Sequence, residues 1–463
     1  MKKISVLLMF VLVLALAVPA FAAEDNVKIT GEVKTIFETA GYGDNEDATI
    51  SLWEDGDVID EDSETDPDEF PAEKAFYQEI DFAVAGMINE NITFDLAIDT
   101  LVNNFTTVEG PNNAAGDILG DQGDGKGGDS SDLVLDSALL TISDGVSTLK
   151  FGDMGDFHAD NYFIDEEDVE GMEFTTAIGD RDIRAFVASE NDDFDGIDLY
   201  GATVSQQFNK VGLTGKLYQA RRGGESLTNL AVAADLAVND AVTIDGEVVS
   251  NDESQGDQGD ILARANVEAA LTDALTVKGG FETVGEDFAV LYNTDGDNVD
   301  DLEEVKDYDL FTVGADYALN DANTVGVTYT MVSVGDTFGT DTEDKNTIEL
   351  SLDNVTGAFT NTAAIEFTAN DDYDRAQEDD DTTVITLGTE YAMSDLTTVT
   401  GKLVNKSSDD GYDVNYTYLV AGLDHQISET ISWDTEARFI TGEDTADVDG
   451  EGSSLKTQLN VKF

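Results

Sequence analysis

The last nine residues of the chain, 455–463, alternate without exception between two kinds of side chain. One set is Leu455, Thr457, Leu459, Val461 and Phe463, and the set between them is Lys456, Gln458, Asn460 and Lys462. Successive side chains of a β-strand point to opposite faces, so this segment would have one face suited to lipid and one suited to water. Such a strand is typical of a barrel wall with hydrocarbon outside and water inside.

The first 22 residues have the composition of a secretory signal peptide. Lys2 and Lys3 precede an apolar stretch from Val6 to Val18, and residues 20–22 form a small-x-small cleavage site. The apolar stretch is short for a retained membrane anchor. We therefore expect residues 1–22 to be removed on export and residues 23–463 to form one domain.

The alternation of the last strand recurs along the chain in segments of roughly nine to twelve residues, the length that a tilted strand needs to cross a bilayer. Clear examples lie at 92–99, 324–331, 359–368 and 431–439. Pro occurs only 4 times in 463 residues, which suits long, continuously paired strands. No later apolar run is long enough for a spanning helix.

Two kinds of connection alternate between these segments. The short ones carry tight-turn residues at Asn89-Glu90, Asn209-Lys210, Asn239-Asp240, Thr272-Asp273, Asn320-Asp321, Ser394-Asp395 and Ser428-Glu429. The long ones are acidic and glycine-rich, at 41–72, 104–131, 153–169, 251–259, 285–305, 335–345, 370–381 and 443–452. The pattern predicts an all-β fold, a closed antiparallel transmembrane barrel of about 22 strands (18–22), with short periplasmic turns at one rim and long external loops at the other.

The chain carries a formal net charge of −76, from 99 Asp and Glu against 23 Lys and Arg. Nucleic-acid partners are therefore excluded, because phosphates would be repelled. Growth in high salt and passage of cations through a negative pore both explain the acidity, and both remain open. Cys is absent, which excludes disulfides, thiolate metal sites and thiol nucleophiles.

The stretch from Gly145 to Asp153 contains a G-x-L-x-x-G pattern, and residues 170–174 form a second strand-like segment after an irregular stretch. In these residues, and in its terminal Phe463, the sequence resembles the porins of diderm bacteria. The resemblance implies that the third loop folds into the lumen, where its carboxylates would line a constriction: Asp153, Asp156, Asp160, Asp165, Glu166, Glu167 and Asp168. The alternative is one more external acidic loop.

The candidate bases of the lumen wall are few: Lys150, Arg184, Lys216, Arg264 and Arg438. Porins usually face an acidic third loop with a dense row of bases, so this chain departs from the pattern and a strong transverse field is not expected. The resemblance also implies that Phe463 is the assembly signal read by the barrel assembly machinery. The other implied partners are outer-membrane lipid, small hydrophilic solutes and ions, and a homotrimer is compatible with it.

Metal and catalytic sites find little support in the sequence. The run from Asn293 to Asp301 has oxygen ligands but not the EF-hand spacing, and loop 41–72 is acidic without any base. We expect loose binding of Ca²⁺ or Mg²⁺ there and no dedicated metal site or cofactor. His158 and His425 stand outside any catalytic motif, so the chain is not expected to be an enzyme.

The sequence thus predicts an outer-membrane porin that passes small hydrophilic solutes passively and prefers cations. The first strand begins near Val27, which leaves no room for an N-terminal plug domain. The alternative is a soluble secreted or surface-layer acidic β protein with a structural or adhesive role.

Overall fold

The structure, a computed structural model, describes most strands and short turns of the chain. The described residues are 26–42, 50–52, 58–60, 74–99, 103–104, 134–160, 163, 167–190, 197–222, 225–253, 259–288, 307–334, 345–370, 381–408, 415–443 and 449–463. The predicted signal peptide, residues 1–22, and most of the long acidic loops lie outside these ranges. No helix in these ranges is long and apolar enough to cross a membrane.

The described residues form 25 β-strands, most of them 10 to 16 residues long. They are β1 (Val27–Tyr42), β2 (Ile50–Leu52), β3 (Val58–Asp60), β4 (Lys74–Asn89), β5 (Ile92–Asp99), β6 (Asn103–Asn104), β7 (Val134–Ser143), β8 (Ser147–Phe157), β9 (Glu167–Ile178), β10 (Arg181–Glu190), β11 (Asp198–Phe208), β12 (Val211–Arg222), β13 (Glu225–Asn239), β14 (Val242–Glu253), β15 (Ile261–Thr272), β16 (Leu275–Val284), β17 (Tyr308–Asn320), β18 (Asn323–Val334), β19 (Lys345–Thr356), β20 (Phe359–Asn370), β21 (Thr382–Ser394), β22 (Thr397–Ser408), β23 (Asn415–Ser428), β24 (Ile431–Glu443) and β25 (Asp449–Lys462).

The strands close into a single antiparallel ring. β1 pairs with β4 on one side and with β25 on the other, and every other wall strand pairs with its neighbours in the chain. β6 pairs with β4 and continues the path of β5, while β2 and β3 pair with each other in a small separate sheet. The ring therefore contains 22 strands, and the predicted closed antiparallel barrel is confirmed.

Side chains alternate between an apolar outer face and a polar inner face. On β25, Leu455, Leu459 and Phe463 are exposed on the outer face, whereas Ser454 and Asn460 are buried on the inner face. The same outer face exposes apolar side chains around the ring, including Phe151, Leu217, Leu230, Val248, Phe311, Leu350, Leu387 and Phe439. The lipid-facing and water-facing sides predicted for the last strand thus extend to the whole wall.

The short turns lie where the sequence places them, at one rim. All seven predicted turns join consecutive strands, and three more occur at residues 145–146, 179–180 and 357–358. The opposite rim holds the long loops, with one exception: β12 and β13 are separated by only residues 223–224. The strands also extend further than expected into the predicted loops, since β8 ends at Phe157, β14 at Glu253 and β25 begins at Asp449.

The turn between β7 and β8 shows why these connections are tight. The Asp144 carboxylate accepts hydrogen bonds from the backbone N–H groups of Val146 at 2.9 Å and Ser147 at 2.7 Å. These two bonds favour the ionised carboxylate and lower the pKa of Asp144 below its ordinary value. An aspartate at this position therefore substitutes for backbone acceptors and closes the turn.

The ring is closed at Phe463. Its backbone N–H donates to the Gly31 carbonyl and its carbonyl accepts from the Gly31 N–H, both at 3.0 Å. The Phe463 ring meets Phe82 of β4 edge-on, with ring centroids 6.0 Å apart. It also covers the position that a side chain at residue 31 would fill, because a Cβ there would lie 2.4 Å from the Phe463 ring. Gly31 and Phe463 thus form a complementary contact at the seam.

Candidate functional site

The strand β8 leaves its neighbour β7 at Gly152. Pairing between the two covers only Leu139–Ser143 and Thr148–Gly152. Gly152 has a φ of 125°, which L side chains rarely adopt, and a Cβ there would lie 1.9 Å from the Ala138 carbonyl oxygen. The Asp153 carboxylate accepts the Ala138 N–H at this point. The departure from β7 lets the residues that follow turn toward the inside of the barrel.

Those residues pack on the inner wall. We call Phe157, His158, Ala159, Asp160 and Phe163 the inner segment; all except the exposed His158 are buried. Phe163 stacks on the Tyr218 ring at 4.9 Å between centroids, and Phe157 meets Phe186 edge-on at 5.0 Å. The Tyr218 hydroxyl donates to the Ala159 carbonyl at 2.9 Å. Stacking and a buried hydrogen bond thus hold the segment against β10 and β12.

A glycine in β11 makes this packing feasible. Gly201 lies between the rings of Phe186 on β10 and Tyr218 on β12. A Cβ at Gly201 would lie 2.1 Å from the first ring and 2.8 Å from the second. The wall can therefore accept the two aromatic rings only because residue 201 has no side chain.

Charged side chains continue the contact along the wall. Glu173 on β9 forms ion pairs with Arg184 on β10 at 2.9 Å and with Lys150 on β8 at 3.8 Å. Arg184 also donates to the His158 carbonyl of the inner segment at 2.8 Å. One guanidinium therefore joins the wall to the segment.

A second group of charges surrounds Lys216 on β12. Its ammonium contacts Asp160 of the inner segment and lies 2.7 Å from Glu247 on β14. Arg264 on β15 approaches the same Glu247 at 3.1 Å. The carboxylate side chains of Asp160 and Glu247 are only 5% and 1% exposed.

We call these residues the charge ladder: Lys150, Glu173, Arg184, Asp160, Lys216, Glu247 and Arg264. Glu173 and Glu247 each lie between two bases, and Asp160 contacts Lys216. A buried carboxylate destabilises the fold strongly unless a base is paired with it. Removing the base leaves an uncompensated buried charge. The ladder therefore neutralises its own charges while attaching the inner segment to the wall.

The seven predicted constriction carboxylates have different placements. Asp160 is buried in the ladder, Asp153 caps the Ala138 N–H, and Asp168 is exposed on β9 next to Gly155. Asp156 and Glu167 lie in β8 and β9, but their side chains are outside the described set. Asp165 and Glu166 also lie outside the described residues. Among the described side chains of this set, Asp160 is in direct contact with a wall base, Lys216.

Four of the five predicted bases, Lys150, Arg184, Lys216 and Arg264, belong to the charge ladder. The fifth, Arg438 on β24, instead contacts Glu436 on its own strand at 2.5 Å. Sequence reasoning did not single out Glu173 or Glu247. The period-two alternation does place both on the inner face, because the neighbouring residues on the other face of each strand are apolar.

The wall across the barrel from the ladder places carboxylates opposite each other. Glu349 on β19 and Glu366 on β20 are direct cross-strand partners on the inner face, and so are Asp424 and Asp434 on β23 and β24. Within the described residues, neither Glu349 nor Glu366 forms an ion pair. Like charges in such positions repel and raise the local negative potential.

The two histidines lie in different parts of the barrel. His425 Nδ1 lies 2.8 Å from the Thr397 hydroxyl, on the strand end next to a short turn, and His158 belongs to the inner segment. In the part of the chain that the structure describes, no three His, Asp or Glu side chains converge to hold a metal ion. The acidic runs 41–72 and 293–301, considered for loose Ca²⁺ or Mg²⁺ binding, lie largely or wholly outside that part.

Comparison with known proteins rests on structure alone, because neither a family model nor a curated protein matches the sequence. The siderophore receptor PirA from Acinetobacter baumannii aligns at 10% identity with a TM-score of 0.55, covering 94% of this chain and 80% of that one. A mutant ferric enterobactin receptor (PfeA) from Pseudomonas aeruginosa aligns at 9% identity with a TM-score of 0.54, covering 94% and 81%. The chain has an outer-membrane β-barrel fold. At 9% and 10% identity, this similarity extends to the fold alone.

This fold makes the orientation testable. We expect the short turns to be periplasmic and the long loops external, because transmembrane barrels have this asymmetry. The chain has no Cys, so single Cys substitutions at Asp60 and Asp240 give clean probes. An impermeant thiol reagent on intact cells should label position 60 and leave position 240 unlabelled. The reverse pattern would contradict the assignment.

Proposed function

We propose that the protein is an outer-membrane channel for passive diffusion of small hydrophilic solutes, with a preference for cations. The observation that carries the proposal is the wide, closed barrel with a polar inner wall. At about 4.8 Å between strands and a tilt of about 40°, 22 strands make a backbone cylinder roughly 45 Å across. Side chains alone do not fill such a lumen, so water or a separate plug must occupy it.

The outer face disfavours the soluble alternative. Apolar side chains such as Leu230, Leu271 and Phe439 are about half exposed or more, and similar residues surround the ring. A contiguous apolar band of this size is unstable in water and suits a hydrocarbon environment. In a soluble surface-layer protein this apolar band would be exposed to water.

An energised uptake receptor is the second candidate. It is favoured by the likeness to PirA and PfeA, which are named as siderophore and ferric enterobactin receptors. The two candidates differ in conduction. A passive channel conducts ions steadily in a planar bilayer, whereas a plugged receptor remains closed there.

The expected cation preference follows from the net charge of −76 and from the opposed inner-wall carboxylates Glu349 and Glu366. A negative lumen raises the local concentration of cations and lowers that of anions. In a KCl gradient the reversal potential of the purified protein should report permeation mainly by K⁺. The preference should weaken toward 1 M salt, where the screening length falls to about 3 Å.

Two results would overturn these proposals separately. A protein that folds as a barrel but does not conduct would contradict the channel function and favour the receptor. A conducting protein whose reversal potential is near zero or of anionic sign would contradict cation preference. Salt adaptation would then be the better explanation of the acidity.

A further inference from the structure

Two segments cover the same half of the inner wall. The inner segment packs over β10 to β12, as described above. Farther round the ring, the short turn after β16 returns Phe288 to the wall, where its side chain is fully buried among Val249, Leu262 and Tyr308. The N–H groups of Phe288 and Asp307 both donate to the Gly285 carbonyl, at 3.1 and 3.3 Å, which fixes this turn at the rim.

At the same distance from the short-turn rim, inner-face side chains on the two halves of the ring differ in exposure. Glu173, Lys216, Glu247 and Ser351 are each the sixth residue from the short-turn end of their strand. Glu173 and Glu247 are buried at 8% and 3% exposure. Across the barrel, Ser351 is half-buried, and its inner-face neighbours Glu349 and Asp353 are exposed.

The inner face of β20 and β21 resembles that of β19. Glu349 on β19 and Glu366 on β20 are each the eighth residue from the short-turn end; the first is exposed and the second half-buried. At the same level on the ladder side, Tyr218 and Val249 are each only 1% exposed. Among the described residues of β19 to β21, only Thr368, nearer the long-loop rim, is buried. The wall from β19 to β21 is therefore open to solvent at the level where the opposite wall is covered.

We propose that the water-filled passage is eccentric and runs along the inner face of β19 to β21, away from the charge ladder. The inference rests on the proposed channel function and locates its permeation path. Permeating solutes then pass Ser351 and the opposed carboxylates Glu349 and Glu366. The charges of the ladder, neutralised by one another, lie outside the path.

Two cysteine variants test the path. Ser351→Cys places a thiol on the open wall, and Ala231→Cys places one on the covered side, on the inner face of β13, where Ala231 is 2% exposed and pairs with Lys216 across the strands. The native chain has no Cys to react. A methanethiosulfonate reagent added to single channels should cause a stepwise loss of conductance in Ser351→Cys and a much smaller change in Ala231→Cys. Equal losses, or a larger loss in Ala231→Cys, would overturn the eccentric path.

A charge comparison tests the same path without chemical modification. The double variant Glu349→Gln with Glu366→Gln removes one pair of directly opposed carboxylates on the open wall. The control, Asp235→Asn with Asp245→Asn, removes a directly opposed pair on β13 and β14, in the half of the ring that carries the ladder. The reversal potential should move toward zero more in the first variant, and equal shifts would contradict the proposal. Absence of conduction in the unmodified protein would instead contradict the channel function itself.

Discussion

Replacing Lys216 with methionine should release the inner segment and give a channel with higher conductance and greater open-channel noise. The ammonium lies between the buried carboxylates of Asp160 and Glu247. Without it, two negative charges face each other in a site that excludes water. Breaking a buried ion pair by removing one partner typically costs about 3–5 kcal/mol, which the segment can avoid by leaving the wall. Single-channel recording in a planar bilayer measures the effect.

Three variants separate this effect from general damage. Lys278→Met removes a base from another inner-face pair, with Asp316 at 2.8 Å, in which both side chains are more than 40% exposed. It should leave conductance and noise unchanged, because exposed pairs contribute little. Lys216→Arg keeps the charge and should retain the quiet state. Asp160→Asn with Glu247→Gln should restore quiet conduction to Lys216→Met, and a quiet, unchanged Lys216→Met channel would contradict the proposed attachment.

Replacing Gly31 with valine should prevent barrel assembly. A Cβ at this position would lie 2.4 Å from the Phe463 ring and 2.9 Å from the Asp81 carbonyl oxygen. Either the Phe463 ring at the seam between β1 and β25 or the backbone of the adjacent strand β4 must move. Phe463→Asp should have the same result, because it places a charge on the outer face where the ring packs against Phe82. Loss of the heat-modifiable band in membrane fractions measures the defect.

Gly215→Val is the matched control for the seam. This glycine lies within β12, and nothing approaches within 4 Å of the position that its Cβ would occupy. It should therefore assemble normally and show the heat-modifiable band. Normal assembly of Gly31→Val would show that the close contact between Gly31 and Phe463 is dispensable for closure, and normal assembly of Phe463→Asp would contradict Phe463 as the assembly signal.

Much of the barrel was predictable because its determinants are local. Period-two alternation decides which side chains of a strand face lipid, and residues such as Asn239 and Asn320 decide where tight turns occur. Seven of the ten short turns were assigned to residues from the sequence; the other three were not located, because two rely on the positive φ of Gly179 and Gly357 and the third on the Asp144 side chain. Glycines are frequent in this chain, 42 in all, so their positions alone do not mark turns.

The candidate site was predictable only in part. Alternation and the porin resemblance identified the stretch around Asp160 and the bases Arg184 and Lys216. They did not show that Asp160 and Lys216 pair directly, since these residues are 56 positions apart. The acidic partners Glu173 and Glu247 were missed because alternation shows only that they face inward, and among 99 acidic residues it does not single out the carboxylates that pair with the bases.

The amino-acid sequence by itself determined the architecture: an antiparallel barrel of about 22 strands, its apolar and polar faces, and the sorting of turns and loops between two rims. These features follow from the alternation of side chains and from turn chemistry, which act over a few residues. Only the tertiary structure decided where the inner segment rests and which charges neutralise each other. The physical reason is that Lys216 and Glu247 lie two strands apart, so they pair only when β12 is in register with β13 and β13 with β14, which the alternation within one strand does not specify.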